Sequence, residues 1–414
     1  VRTLIATRAY APEPAAAAWR QAALATALAE AGHRVEVLTT RLPAGTAEPA
    51  APAPRAATAT GAPRVSRWPV LRDASGNVRG YLQYASYDLP LGLRLARRLL
   101  AGAARRGAGP DVVVVEPPPT TGAVVRLVCA LARVPYVYYA ADLLSLAARE
   151  AGLAAPALRL LTALESWVLR GAACVMTVDD GYAARVRDLG VRPERVAVVG
   201  TGVNTDVLRP VPPPAGAGAA GDAGDDAPEL VYAGTMSEVQ GAGVFLEALA
   251  RVLPEHPRAR AAFYGGGVEA TALAARAREL GLDRVEFRGL APLEEIARVT
   301  STARAGLASQ KPGTAYSFAF LVKPLAATAC GAPVVYAGAG PFAELVGEHR
   351  LGWAVGWDAE QVAGALREAL AGEGPARAER ERLAAWTRER YSLRAVAARA
   401  AAATLTAATR PPRP

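Results

Sequence analysis

Lysine is nearly absent: Lys311 and Lys323 are the only ammonium side chains in 414 residues, within a combined Lys and Arg total of 47. Heavy use of Ala, Arg, Gly and Pro suggests a GC-rich coding bias, which supplies Arg wherever any surface cation will serve. The two exceptions therefore carry information. An ammonium is a compact, strongly hydrated point charge, whereas a guanidinium is a planar fork that needs room and a matching partner. Two lysines twelve positions apart fit a tight pocket for a small, highly charged group such as phosphate; chance is the alternative, and position alone does not settle it.

Cysteine and histidine are just as scarce. Cys129, Cys174 and Cys330 stand singly in apolar runs, and His33, His256 and His349 are isolated. Without an even count or ligand spacing, the thiols read as reduced core residues and no metal site is expected. Long hydrophobic runs are missing too. No stretch approaches a membrane span, and the first apolar run, 4–6, is too short for a signal peptide. A cytoplasmic location follows as the expectation. The net charge of +9 suits an anionic partner such as nucleotide, nucleic acid or membrane surface, and is also ordinary for an Arg-rich chain.

What is present is apolar mass: 52% hydrophobic residues with only 6% aromatics imply large cores of Ala, Val and Leu and, at this length, two domains. Short apolar runs alternate with helical patterns throughout, which predicts parallel α/β sheets with crossover helices. Strands are expected at 3–6, 34–39, 111–115, 136–140, 174–178 and 195–199, then at 230–233, 261–264, 285–288, 305–308, 333–336 and 353–355. The Pro-, Gly-, Ala- and Asp-rich run 211–228 reads as a linker between a domain at 1–210 and another at 229–388, followed by a C-terminal helical segment at 389–414. The similar run 43–63 reads as a loop. Two doubly wound domains place their ligands at the carboxyl ends of the strands.

Several residues fall there. Gly265, Gly266 and Gly267 follow a strand and precede a helical stretch, so their amides suit a phosphate or simply a tight turn. Pro324 suits the first helical position and Gly331 the residue after the helix, which puts Lys323 in the N-cap region beside free amides. Lys311 belongs to the loop 309–322, with Gly313, Tyr316 and Phe318, and is either a second phosphate ligand or a solvated lysine.

With this layout in view, the chain resembles a family 4 glycosyltransferase of the GT-B fold over nearly its whole length. The resemblance rests on Tyr10-Ala-Pro-Glu13 and Arg20, on LAEAGHRVEVL at 28–38, on PYVYYAADL at 135–143 ending near Asp142, on the helix bearing Glu165, and on GTGVNTDVLRP at 200–210. In the second half it rests on VYAGTMSEVQGAGVFLEAL at 231–249, on 263–269 and 285–290, and on KPLAATACGAPV at 323–334. It implies α/β GT-B architecture, with two Rossmann-like domains facing a cleft, and transfer of a sugar from a nucleotide diphosphate donor with retention of configuration. The donor is then a co-substrate, and neither cofactor nor metal is required. The implied partners are a nucleotide sugar and a small-metabolite or lipid-linked cell-envelope acceptor, with no nucleic acid.

The resemblance also implies roles. Lys323 and Lys311 would stabilise the leaving diphosphate. Gly234, Thr235, Gln240, Gly265, Gly266, Gly267, Phe318 and Lys323 would line the donor, with the base against Leu290 and Ala291. Glu13 and Arg20 would face the acceptor, and Asp142 would orient a sugar hydroxyl or else cap the next helix. Departures are equally specific. Ala326 and Phe318 stand where the family usually carries Glu, and Thr235 and Gln240 stand where many members carry Arg or Lys, so the two lysines inherit the charge. These losses also admit a non-catalytic nucleotide-sugar binder, and the fold admits a nucleotide-sugar 2-epimerase. Asp222, Asp225, Asp226, Asp179 and Asp180 read as solvated or capping carboxylates. Finally, 89–106 places Arg94, Arg97, Arg98, Arg105 and Arg106 near Leu93, Leu95, Leu99 and Leu100, as either an ordinary surface helix or peripheral contact with an anionic membrane.

Overall fold

The structure is a computed structural model that describes residues 1–13, 15–42, 61–73, 78, 80–104 (backbone alone for 101–104), 109–212, 228–314 and 320–409. The chain runs β1 (Arg2–Ala6), α1 (Ala16–Glu30), β2 (Arg34–Thr40), β3 (Arg64–Trp68), α2 (Tyr81–Ala104), β4 (Val112–Val115), α3 (Pro119–Ala132), β5 (Tyr136–Ala140), α4 (Leu144–Glu150), α5 (Ala155–Gly171), β6 (Cys174–Thr177), α6 (Asp180–Asp188) and β7 (Val196–Val198). It continues through β8 (Leu230–Ala233), α7 (Gly243–Val252), β9 (Ala261–Tyr264), α8 (Ala270–Glu279), β10 (Val285–Gly289), α9 (Leu293–Thr302), β11 (Ala305–Gln310), α10 (Lys323–Ala329), β12 (Val334–Gly338), α11 (Pro341–His349), β13 (Gly352–Val355), α12 (Ala359–Leu370), α13 (Arg377–Tyr391) and α14 (Leu393–Ala408).

Two sheets result, ordered β3-β2-β1-β4-β5-β6-β7 and β10-β9-β8-β11-β12-β13, and their strand pairings are parallel. The composition explains the central strands. β4 is four consecutive valines, all buried, as expected where helices cover both faces of a parallel sheet and β-branched side chains fit the pleat. Each strand order reverses once, between β1 and β4 and between β8 and β11. At such a reversal the loops leaving the carboxyl ends diverge and open a crevice.

The chain forms two compact units, Val1–Gly200 with Val396–Pro414, and Thr201–Ala395. The division differs from the expected boundary at 211–228 because the segment leaving β7 is anchored on the second unit. Val203 and Leu208 join that unit's apolar core, and the Val203 amide donates to the Tyr391 carbonyl at 2.9 Å. From Val396 onward α14 belongs to the first unit. There Ala400, Ala401 and Ala407 enter the core, and Arg399 donates to the Val199 carbonyl at 2.8 Å. Strand β3 was not expected. Its sequence, RVSRW, has exposed Arg64 and Val65 and buries only Trp68, the polar profile of an edge strand.

Cys129, Cys174 and Cys330 are free and buried, and burial pushes the Cys330 thiol up to about 12. Among the described residues no helix is long and apolar enough to cross a membrane, and no group of three or more His, Cys, Asp or Glu is placed to hold a metal ion. Tyr316, Phe318, Arg105, Arg106, Asp222, Asp225, Asp226 and most of 43–63 lie outside the described residues.

Candidate functional site

In the second unit both lysines meet one loop, the connection from β8 to α7. Gly234 opens it at φ 145°, a backbone that side chains rarely adopt, and a β-carbon there would overlap the stem of Lys323. That stem crosses the strand end and delivers its ammonium to two uncharged oxygens. Nζ donates to the Tyr232 hydroxyl at 2.7 Å and to the Thr235 carbonyl, while the Tyr232 hydroxyl donates to the same carbonyl at 2.9 Å. Nζ also lies 4.9 Å from the Tyr232 ring centroid. An ammonium has three donors, so one remains for a ligand.

Among the described residues Lys323 forms no ion pair, and burial pulls its pKa down to about 7. The expected geometry is corrected on one point. Lys323 is the first residue of α10, Val322 is the N-cap and the helix has seven residues. The ammonium is bonded at the β8 strand end and the loop that follows it. Ala326 is half-buried against the apolar core.

Lys311 follows β11 directly. Its amide donates to the Val239 carbonyl at 2.9 Å, and its exposed ammonium lies 5.5 Å from the Trp357 ring centroid. Trp357 is tied to the loop through its ring N–H, which donates to the Gly241 carbonyl at 3.0 Å. Thr235 is exposed, and Gln240 Oε1 accepts from Ser237 Oγ at 2.6 Å, so neither supplies charge.

The three glycines after β9 divide by task. A β-carbon on Gly265 or Gly267 would strike the carbonyl of Gly234 or Met236, whereas one on Gly266 would meet nothing within 4 Å. The outer two thus permit close backbone approach between neighbouring strand ends, and only Gly266 faces open space. The Gly265 amide is already used by the Gly289 carbonyl at 2.6 Å. Beyond β10, Leu290 is 89% exposed, while Ala291 packs against the core. A hollow of about 660 Å³ lined by Arg304, Pro333, Gly352 and Glu368 lies at the amino-terminal ends of β11 to β13, opposite the lysines and away from this edge.

The carboxyl ends in the first unit carry a different network, centred on a residue that the sequence did not single out. Glu116, directly after β4, is 6% exposed. It accepts from Thr7 Oγ1 at 2.5 Å, Gln21 Nε2 at 3.0 Å and Arg20 at 3.2 Å. Arg20 also stacks over the Tyr139 ring, 5.0 Å from its centroid. Glu13 lies with other partners, pairing with Arg72 at 3.0 Å, and its second oxygen is buried with no hydrogen-bond partner among the described residues.

Asp142 is exposed after β5, and its oxygen accepts from the next amide, Leu143, at 2.8 Å. Although the residue as a whole is exposed, desolvation of its carboxyl by the surrounding chain raises its pKa above the usual range against the opposing effects of the Leu143 amide, the Tyr182 hydroxyl and Arg20. The capping alternative for Asp142 is filled by another residue. Glu165, 1% exposed on α5, accepts from the amides of Leu144 at 2.8 Å and Ser145 at 3.2 Å and from the Ser145 hydroxyl, which satisfies the open N-terminus of α4. The strand ends thus bring Arg20, Glu116 and Asp142 into one electrostatic neighbourhood.

Residues 16–202 match the Glycosyl transferase 4-like domain and residues 227–372 match Glycosyl transferases group 1. The chain belongs to the family 4 type glycosyltransferases of the GT-B fold. D-inositol 3-phosphate glycosyltransferase 2 of Catenulispora acidiphila is 31% identical over 187 residues, 43% of this chain and 43% of that protein, so the match spans less than half the length of this curated relative. In fold the chain is similar to Anabaena Alr3699/HepE in complex with UDP and glucose (18% identity, TM-score 0.61, covering 98% and 99% of the two chains). It is also similar to WaaG, a glycosyltransferase involved in lipopolysaccharide biosynthesis (18%, 0.64, 97% and 99%).

Proposed function

We propose that the chain transfers a hexosyl group from a nucleotide diphosphate donor, held by the second unit, to a small-metabolite or cell-envelope acceptor held by the first, with retention of configuration. The observation that carries this reading is Lys323: a half-buried ammonium fixed by two neutral oxygens, with a third donor available and, among the described residues, no carboxylate paired to it. As the bond from the anomeric carbon to the diphosphate breaks, its electron pair passes to the leaving oxygen, and a preorganised cation at that oxygen stabilises the transition state more than the ground state. The acceptor oxygen forms its bond on the same face, and its proton passes to the departing diphosphate. Lys311 adds charge from the loop beside it. On the first unit, Arg20, Glu116 and Asp142 would fix acceptor hydroxyls. This chemistry draws on no resident cofactor or metal.

A second reading, nucleotide-sugar binding without transfer, is favoured by Ala326, which packs an apolar methyl where the family carries a carboxylate. One experiment separates the two. The full chain is incubated with a panel of nucleotide sugars and polyol acceptors, and the product's anomeric configuration is read by NMR. A retained product supports transfer. Calorimetric donor binding without turnover supports the second reading, and an inverted product sinks the proposed mechanism.

A further inference from the structure

Helices α2, α3 and α5 form one layer on the first sheet, α2 packing on α3 and α3 on α5. Their outward residues are unusual. Leu82, Leu89, Leu93, Leu127, Leu131 and Leu160 are each 56 to 81% exposed. The three helices contain just two carboxylates, Asp88 and Glu165, and both are buried, at 5% and 1% exposure. The outer face therefore displays leucines and arginines with no negative side chain from these helices. Arg97, Arg133 and Arg159 are exposed on it, and none forms an ion pair among the described residues.

Composition does not account for this. Elsewhere in the same Arg-rich chain several surface arginines pair with glutamates. Arg276 reaches Glu247 at 2.8 Å and Glu279 at 3.1 Å, Arg367 reaches Glu255 at 2.8 Å, and Arg382 reaches Glu379 at 2.7 Å. Among the described residues this helical layer combines several exposed leucines with unpaired arginines and no exposed carboxylate of its own. The sequence pattern at 89–106 marked part of it but included Leu95 and Leu99, which are fully buried or nearly so. The true outward set lies on three helices.

We propose that this face docks on an anionic phospholipid bilayer, with the leucines entering the headgroup boundary and the arginines meeting lipid phosphates. Charge selects the occupant. A second copy meeting this face with its own would oppose arginine to arginine. A protein partner would be expected to use aromatic anchors, whereas leucine, which dominates here, is under-represented among such hot spots; the exposed aromatic of α2, Tyr81, suits a membrane interface equally. Leucine and arginine on one face, with no helix among the described residues long and apolar enough to span, match a surface that lies on a membrane rather than across it. The proposal is independent of the transfer reaction.

The test is sedimentation of the full chain with vesicles of phosphatidylcholine alone or containing roughly one-third phosphatidylglycerol, at low and high salt. Binding to the anionic vesicles that weakens with salt is expected, with several-fold weaker binding to the neutral ones. Each arginine near an anionic surface is worth about fivefold in partitioning, so Arg97→Glu with Arg159→Glu should lose well over tenfold. Leu93→Ser with Leu131→Ser should weaken binding to both vesicle types, and Arg276→Glu on α8 should change nothing. All these positions are exposed, and unchanged circular dichroism and nucleotide binding confirm folding; should charge reversal disturb it, Arg97→Gln with Arg159→Gln replaces it. Absence of anionic-vesicle binding overturns the proposal. So does wild-type binding by the arginine variants, or vesicle-independent self-association that Leu93→Ser removes, which would identify a second copy as the occupant.

Discussion

In the first unit Arg20 meets Glu116 at 3.2 Å and Arg72 meets Glu13 at 3.0 Å; in the second, among the described residues, Lys323 donates to the hydroxyl of Tyr232 and the carbonyl of Thr235 and to no carboxylate. Both regions are carboxyl edges of parallel sheets with the same kind of strand reversal. In the first, the charges of each pair offset one another while keeping hydrogen-bonding capacity, which suits hydroxyl recognition. In the second, the ammonium has lost much of its hydration without gaining a counter-ion, so its charged form is held at a cost until an anion arrives. If that contrast reflects division of labour, the two edges should respond differently to substitution.

The largest effect is expected at Lys323. Lys323→Ala removes a preorganised donor at the developing charge, and such losses cost about 10²–10³ in kcat. Thermal stability should hold or rise, because a base whose folded pKa lies below its unfolded value opposes folding wherever it must be protonated. Steady-state kinetics beside a melting curve decides the matter: lost stability with intact kcat would make Lys323 structural.

Glu116→Gln probes the other edge. The amide keeps the size but loses the charge. It must also turn an N–H toward Arg20, Gln21 or Thr7, all of which donate to the native carboxylate. Hydrogen bonds to charged groups are worth about 1.5–3 kcal/mol, so the acceptor KM should rise by roughly 10- to 100-fold while calorimetric donor affinity stays constant. A matching fall in donor affinity would end the claim that the edges work separately.

The pH dependence follows from Lys323 alone. Its pKa near 7 in the free protein must rise when a diphosphate binds, since the ligand favours the charged form. Above about pH 7, where the diphosphate is already fully ionised, its affinity therefore falls as pH rises toward the pKa of the complex, by at most about tenfold per pH unit, with up to one proton taken up on binding. Calorimetry at pH 8 in buffers of different ionisation enthalpy measures that proton. Lys323→Ala should abolish the uptake.

What could be read from the sequence was local. The six strands of the second sheet are short apolar runs alternating with helical patterns, and Lys323 at a helix start was marked by Pro324 and by Gly331, which adopts φ 82° just past the helix end. What could not be read depends on partners distant along the chain. Glu116 resembles a strand terminator until Thr7 arrives from 109 positions away, and the Tyr232 hydroxyl is 91 positions from the ammonium it fixes. Asp142 and Glu165 illustrate the same limit. The sequence offered the adjacent carboxylate as the helix cap, yet the fold delivers one from 21 positions downstream, because α5 packs against α4.

Lys311 gives the smallest expected effect and the finest division of the second edge. Its ammonium is exposed and lies over Trp357 rather than on a carbonyl, so water screens it and the ring contact is worth only about 0.5–1 kcal/mol. Lys311→Ala should therefore weaken diphosphate affinity by about two- to fivefold and leave the proton uptake at pH 8 intact, since that uptake belongs to Lys323. Lys311→Arg should restore most of the affinity, because an exposed site with an aromatic face accepts a guanidinium. The half-buried Lys323, its stem against Gly234, should reject the same replacement. Equal tolerance of arginine at both positions, measured by calorimetry, would mean that neither lysine is held by its pocket and that charge alone accounts for the pair.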